Sequence, residues 1–194
     1  PPAQLDPLPK TKVERQASAD DKEVFTWNMK AVGLSETNLK ENPSLKGNVN
    51  IKIAVLSTGI DYNHDDLVGQ VDVNVSEISE SIATKPSVNY KDDDGDGISD
   101  NIVGYDVVDG DGLAYDRHGA GTAVAGIIAA KANGYGVRGI MDKVSLYPVR
   151  YINGNGQSDV PKLVQALKLA LEQKSDVVFV QSIEFFKIQK GSLI

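Results

Sequence analysis

The chain is 194 residues long, 41% apolar and 24% charged, a balance that fits a soluble globular protein of one domain and excludes collagen-like and low-complexity chains. Its net charge of -7 opposes a nonspecific phosphate-binding surface, so no nucleic-acid partner is expected. No apolar run approaches the roughly 20 residues needed to span a bilayer, Pro1 opens no charged and apolar leader, and the absence of cysteine excludes a disulfide scaffold, a thiolate metal site and a cysteine nucleophile.

Residues 1–20 hold four of the eight prolines and little apolar periodicity, which predicts an extended or flexible arm ahead of a single domain over 21–194. WNMKAVGL from Trp27 allows a short helix. IKIAVLS (51–57) is a mostly apolar, β-branched run before Gly59, as a strand buried on both faces would be, and VDVNV (71–75) allows a second, weaker strand. GTAVAGIIAAKANG (121–134), rich in small residues, predicts a helix packed closely on a sheet and closed by Gly134. VSLYPVRY (144–151) is the next strand, with Pro148 an irregularity, and NGNGQSD a turn. In SDVPKLVQALKLALEQ (158–173), Val160, Leu163, Val164, Leu167 and Leu171 recur at helical spacing, with Ser158 as cap and Pro161 in the first turn. DVVFVQSI (176–183) closes the series as an apolar strand. Strands alternating with helices predict an α/β fold with a largely parallel sheet.

The acidity is concentrated. Between Asp92 and Asp116 stand nine aspartates and no Lys or Arg, so this segment carries the whole charge imbalance. Glycines and apolar residues interrupt it, which predicts a folded loop with a counter-ion rather than a disordered acidic run. Asp92-Asp93-Asp94-Gly95-Asp96-Gly97-Ile98-Ser99-Asp100 contains D-x-D-x-D-G, with a further aspartate at the ninth place. That pattern wraps oxygen ligands around calcium: Asp92, Asp94, Asp96 and Asp100 through carboxylates, Ile98 through its carbonyl. Val103 stands where a helix-loop-helix calcium hand has glutamate, so the motif is a different one. Magnesium, or a solvated loop without an ion, is the alternative.

At IKIAVLSTGIDYNHDDL (51–67), GAGTAVAGIIAA (119–130) and VSLYPVRYINGNGQSD (144–159), in that order, the sequence resembles the subtilisin-like serine proteases, the match running from Trp27 to Ser182. The resemblance implies a three-layer subtilisin-like α/β fold, mostly parallel sheet with helices on both faces, here without its C-terminal part, and with an acidic metal-binding insertion over 90–116. In that family the first block ends a buried strand with Asp-Thr/Ser-Gly, the second reads His-Gly-Thr-His-Val-Ala-Gly, and a later Gly-Thr-Ser supplies the nucleophile. Residue by residue, Ser57 occupies the aspartate position and Ala120 the histidine position, and no Gly-Thr-Ser block follows before Ile194. A serine hydroxyl needs an imidazole to take its proton and a carboxylate to orient and stabilise that imidazole. The chain is therefore expected to have no catalytic residues. His118 and Asp61 lie too far along the backbone to substitute, since general-base catalysis needs reach of roughly 3 Å.

The peptide-binding elements of the family correspond to Gly154-Asn155-Gly156 and to Ser182 with Ile183 and Glu184; the glutamate replaces a glycine, and the alternative to a peptide groove is a structural role for both elements. The resemblance leaves the strand over 176–183, interior in the family, near an edge, with Phe185, Phe186, Ile188, Leu193 and Ile194 beside it. Self-association or a partner protein through the C-terminal strand and tail is expected, unless the tail covers its own sheet. Three functions compete: a silent subtilisin-like protein acting by binding or assembly, the N-terminal part of a protease whose other half comes from another chain, and a calcium-stabilised structural module. Calcium would fit an extracellular or periplasmic setting.

Overall fold

The structure, a computed structural model, describes residues 6–10, 27–42, 46–78, 89–141 and 143–181. Its centre is strand β1 (Gly47–Ser57), paired in parallel with β3 (Lys143–Arg150) on one side and β4 (Val177–Val180) on the other. A two-residue strand β2 (Tyr105–Asp106) extends the sheet, which runs β2-β3-β1-β4. Period-two alternation on β1 splits its side chains between two cores. Ile53 and Val55 point to the side of helix α3 (Ala120–Ala129), packing with Leu146, Ala125 and Ala129; Ala54 and Leu56 point to the side of helix α4 (Val160–Glu172), packing with Val149, Ala166, Leu169 and Ala170. Both faces are thus covered, as a parallel sheet requires, and the expected three-layer arrangement follows. Short helices α1 (Trp27–Ala31) and α2 (Glu36–Glu41) close a small third cluster around Met29, Leu34 and Leu39.

Several expectations need correction. VDVNV forms no strand: Val71 makes one isolated bridge to Leu146, after which Asn74 caps a 3-10 turn, Val75–Glu77, by accepting from Ser76 N. Helix α3 stops at Ala129, well before Gly134, because Ala130 turns to extended geometry and its carbonyl accepts from Gly139 N. Asp159, not Ser158, caps α4 by accepting from Lys162 N at 2.9 Å; Ser158 donates instead to the Tyr151 carbonyl. The buried face of α4 is Ala166, Leu169 and Ala170, while Val160, Val164, Leu167 and Leu171 are exposed. The small alanines win that face because they allow α4 to sit close to the sheet. Of the N-terminal arm, residues 6–10 have no regular structure but are docked: Tyr62 Oη donates to the Pro7 carbonyl at 2.6 Å and Asn63 Nδ2 to the Leu8 carbonyl at 3.0 Å. Residues 11–20, Ser182 and the tail to Ile194 lie outside the described residues.

Candidate functional site

The C-terminal end of β1 meets the N-terminus of α3, and the contact is close because residue 121 is glycine. A Cβ there would run into the Gly59 carbonyl oxygen and meet Ser57 Oγ at 3.0 Å. The helix cap is Gly119, at φ 94, which has no side chain to satisfy the orphan N–H groups of the first turn. Two other residues do so. Thr58 Oγ1 accepts from Gly121 N at 2.9 Å and donates to Asp116 Oδ1 at 2.8 Å. Asp116 also accepts from His118 N (2.9 Å), Gly119 N (2.8 Å), Thr122 N (2.9 Å) and Thr122 Oγ1 (2.6 Å). Thr122 Oγ1 in turn accepts from Asp61 N at 2.9 Å. Burial alone would raise the Asp116 pKa, but the hydrogen bonds from Thr122, Gly119 and His118 outweigh it and hold the carboxyl below the ordinary carboxylate range. An acceptor-only carboxylate at a helix N-terminus also meets the positive end of the helix dipole.

Ser57 is fully buried. Its hydroxyl donates to the Gln181 side-chain oxygen, and its carbonyl accepts from Tyr151 N at 3.0 Å and Ile152 N at 3.2 Å. Tyr151 Oη donates to the Gln181 carbonyl at 2.6 Å, and burial pushes its pKa up to about 12, so it stays a donor at neutral pH. Ala120 opens α3, one residue before the Gly121 that abuts Ser57, and its side chain is a methyl group. Neighbouring ionisable groups are engaged elsewhere: the Asp61 carboxylate accepts from Asn63 N at 3.0 Å, the His118 side chain is exposed, and exposed His64 accepts from Asp66 N through Nδ1 at 3.2 Å. The side chains described at the β1–α3 junction are the hydroxyls of Ser57, Thr58 and Thr122, the Gln181 amide, and the Asp116 carboxylate, which is committed to Thr58, Thr122 and backbone N–H groups.

The turn at Gly154-Asn155-Gly156 is built on Asn153, whose Oδ1 accepts from Asn155 N and Gln157 N, both at 2.9 Å. A Cβ at Gly154 would stand 3.6 Å from the Arg117 carbonyl, which sets this turn beside the α3 entry loop. Ser182 is outside the described residues.

The acidic loop is divided between two tasks. Carboxylate oxygens of Glu77, Asp92 and Asp94 lie within 4.8 Å of one another. Glu77, fully buried, accepts from Asp93 N (2.7 Å), Asp94 N (2.9 Å) and Asp100 N (2.7 Å). Asp92 accepts from Gly95 N at 2.6 Å and Gly97 N at 2.9 Å, and Asp94 from Asp96 N at 3.0 Å. The set is hard oxygen with lone pairs to spare, which fits calcium better than a transition metal. Asp96 and Asp100 lie outside that three-carboxylate group and accept from the loop's own donors, as Asp92 and Asp94 also do. Asp96 accepts from Ile98 N (2.9 Å) and Asn101 Nδ2 (2.6 Å), while Asp100 accepts from Asn89 N (2.9 Å) and Tyr90 N (2.7 Å). Ile98 is partly buried against the α4-side core.

A family model described as Peptidase S8, subtilase family, matches residues 48–180. The chain belongs to the subtilase family. Subtilase relatives include the major intracellular serine protease of Bacillus subtilis, 35% identical over 130 residues, which cover 66% of this chain and 33% of that protein. The minor extracellular protease Epr of the same organism is 32% identical over 152 residues, covering 78% of this chain and 18% of that protein. The chain thus spans a third or less of the length of these relatives. Among solved subtilase structures, fervidolysin from Fervidobacterium pennivorans, a keratinolytic enzyme related to subtilisin, superposes with a TM-score of 0.54 at 24% identity over 78% of this chain and 19% of that one. This likeness supports the fold alone.

Four residues that organise this subtilase site escaped sequence reading. Asp116 was counted only as part of the acidic run; its position three residues before a glycine cap and six before Thr122 was the available signal. Thr58 likewise carried one, directly after the strand. Gln181 and Glu77 carried none, since only the tertiary fold brings them to Ser57 and to the acidic loop.

Proposed function

We propose that this subtilase chain is catalytically silent and acts by binding or assembly. One observation carries the reading: α3 opens at Ala120, the residue before the Gly121 that abuts Ser57, and the Ser57 hydroxyl is committed to Gln181. Subtilase chemistry needs a proton acceptor at position 120 and an anion at position 57. Neither a methyl group nor a neutral hydroxyl can take a proton from an attacking group at neutral pH.

The binding surface of this reading is apolar. Val177, Phe179 and Val180 on β4 are exposed at the edge of the described sheet, and Val160, Val164, Leu167 and Leu171 form an exposed stripe on α4. Scattered exposed apolar residues are ordinary, but a contiguous set beside a strand edge marks an association surface. A second copy or a partner protein covers it, and the turn at Gly154-Asn155-Gly156 is the element open to a peptide. Calcium, held by Glu77, Asp92 and Asp94, is structural in this account and fits an extracellular or periplasmic setting.

A second reading is supported by the subtilase relatives being proteases: these residues belong to a protease whose nucleophile lies outside them. Casein and a chromogenic peptide, offered to protein purified from its own source, separate the two. No hydrolysis above buffer, with a native mass above that of one chain, is the result expected of the silent binder. Hydrolysis that is abolished by a serine-directed inhibitor would replace it with the second reading.

A further inference from the structure

We propose that the surface built from Tyr62, Asn63 and Arg117 is a recognition site for an extended polypeptide segment of the pattern Asp-Pro-Leu-Pro, and that the chain's own residues 6–10 fill it as an exchangeable ligand. The arm is read along its main chain. Tyr62 Oη donates to the Pro7 carbonyl at 2.6 Å, and Asn63 uses both ends of its amide: Nδ2 donates to the Leu8 carbonyl at 3.0 Å while Oδ1 accepts from Lys10 N at 2.6 Å. Two side chains add selectivity. Arg117 donates to Asp6 Oδ1 through Nε at 3.1 Å and Nη2 at 2.6 Å, and the Asp6 side chain is only 5% exposed. Leu8 packs against the α3-side core, where Tyr62 and Tyr115 meet edge to face with ring centroids 5.4 Å apart.

The segment has the character of a ligand. Pro7 and Pro9 fix their own φ and hold Asp6 and Leu8 extended, so the free arm is already close to its docked shape and loses little entropy on binding. Aromatic side chains that receive a proline-rich segment of this shape are a recurring mode of peptide recognition. Each contact runs from a side chain of the folded body to the arm's main chain or to Asp6, across 53 or more positions of sequence. None of them requires the segment to be joined to the body that receives it.

The hold on the arm is also compromised by its surroundings. Docking brings a carboxylate oxygen of Asp6 within 4.8 Å of those of Asp106 and Asp111. Arg150, the other cation nearby, is already shared between Asp106 and Asp109. Arg117 therefore meets the Asp6 charge against the repulsion of two neighbours, an arrangement that selects the acidic segment while leaving it replaceable.

The test uses a fluorescein-labelled peptide of residues 2–11, PAQLDPLPKT, titrated by anisotropy into the full chain. A tethered arm competes at an effective concentration on the order of millimolar, so the parent should bind the peptide weakly. Leu8→Asp places a charge where the arm meets the core and frees the site, and this variant should bind at least about tenfold more tightly. In that background Arg117→Met and Asn63→Ala should each weaken binding by at least about fivefold, and a peptide carrying D6K should bind more weakly by a similar factor. The parent chain gives a second readout that needs no variant: millimolar unlabelled peptide should speed hydrogen exchange at the Lys10 amide severalfold, because the displaced arm loses Asn63 Oδ1. Exchange at Lys10 that peptide leaves unchanged, equal binding of the D6K peptide, or affinity that neither Arg117→Met nor Asn63→Ala alters overturns the proposal and makes the arm a fixed part of the fold.

Discussion

Replacing Asp116 by asparagine tests the physical account of the β1–α3 junction. The carboxylate accepts five hydrogen bonds, from Thr58 Oγ1, His118 N, Gly119 N, Thr122 N and Thr122 Oγ1, and is 8% exposed. An amide keeps one acceptor oxygen but turns an NH2 toward donors on its other side, so at least the two contacts at one oxygen are lost. A threonine hydroxyl, with a second lone pair, can turn to accept from the NH2, but a backbone N–H cannot, so Thr122 N, or His118 N and Gly119 N, is left facing it without an acceptor. Hydrogen bonds to a charged group contribute about 1.5–3 kcal/mol each, which puts the loss at about 3–5 kcal/mol. For a chain of this size that lowers Tm by on the order of 10 °C. The pH dependence has a definite sign. The folded pKa of Asp116 is below its ordinary 3.8, so its stabilisation is fully present above that value and is lost as pH falls through the folded value. Urea unfolding followed by far-UV circular dichroism should therefore show a wide gap between parent and variant at about pH 6 that narrows below about pH 3.8. A gap under about 1 kcal/mol at the higher pH, or one that persists unchanged in acid, would refute the clamp.

Four further outcomes follow from the same structure. Arg150→Met should destabilise by about 3–5 kcal/mol in denaturant titration, because the buried guanidinium pairs with the fully buried Asp106, which its removal strands, while Asp109, its other partner at 2.6 Å, is open to water. Gly121→Ala should cost about 2 kcal/mol or more, since the new methyl group meets the Gly59 carbonyl and Ser57 Oγ, and differential scanning calorimetry would register it as a lower Tm. A chelator should lower Tm by roughly 5–10 °C if calcium was present at about a hundred times its Kd, and open the 89–101 loop to proteolysis; an unchanged Tm would count against the ion. Asp92→Asn should abolish that chelator response, because the Asp92 carboxylate is one of the three grouped together, with those of Glu77 and Asp94.

Periodicity made the sheet and its helices legible where one signal dominated. IKIAVLS could only be a strand covered on both faces, and the small-residue run after Gly119 could only lie close to it. The reading went astray where a local pattern competed with tertiary packing. In α4 the valine and leucine stripe looked like the buried face, yet Ala166 and Ala170 bring the helix near enough to the sheet to take that place, leaving Leu171 outside. The valines of 71–75 have strand composition, but among the described residues Val71 alone forms a bridge, to Leu146. At the site, Ser57 and Ala120 were identifiable because both stand inside contiguous motifs. Glu77 and Gln181 act from distant parts of the chain, through contacts that no spacing rule encodes. In the acidic loop the spacing places Asp92, Asp94, Asp96 and Asp100 together, and each of them also accepts from neighbouring backbone N–H groups.

The central claim, that no group at positions 57 and 120 can activate an attacking hydroxyl, is tested most directly with a fluorophosphonate probe. It would be applied to the protein isolated from its own source and read by intact mass. The account predicts no adduct at any serine after prolonged exposure. A stoichiometric adduct on one serine, formed at the rate of an active serine hydrolase and lost on replacing a single residue of this chain, would contradict it.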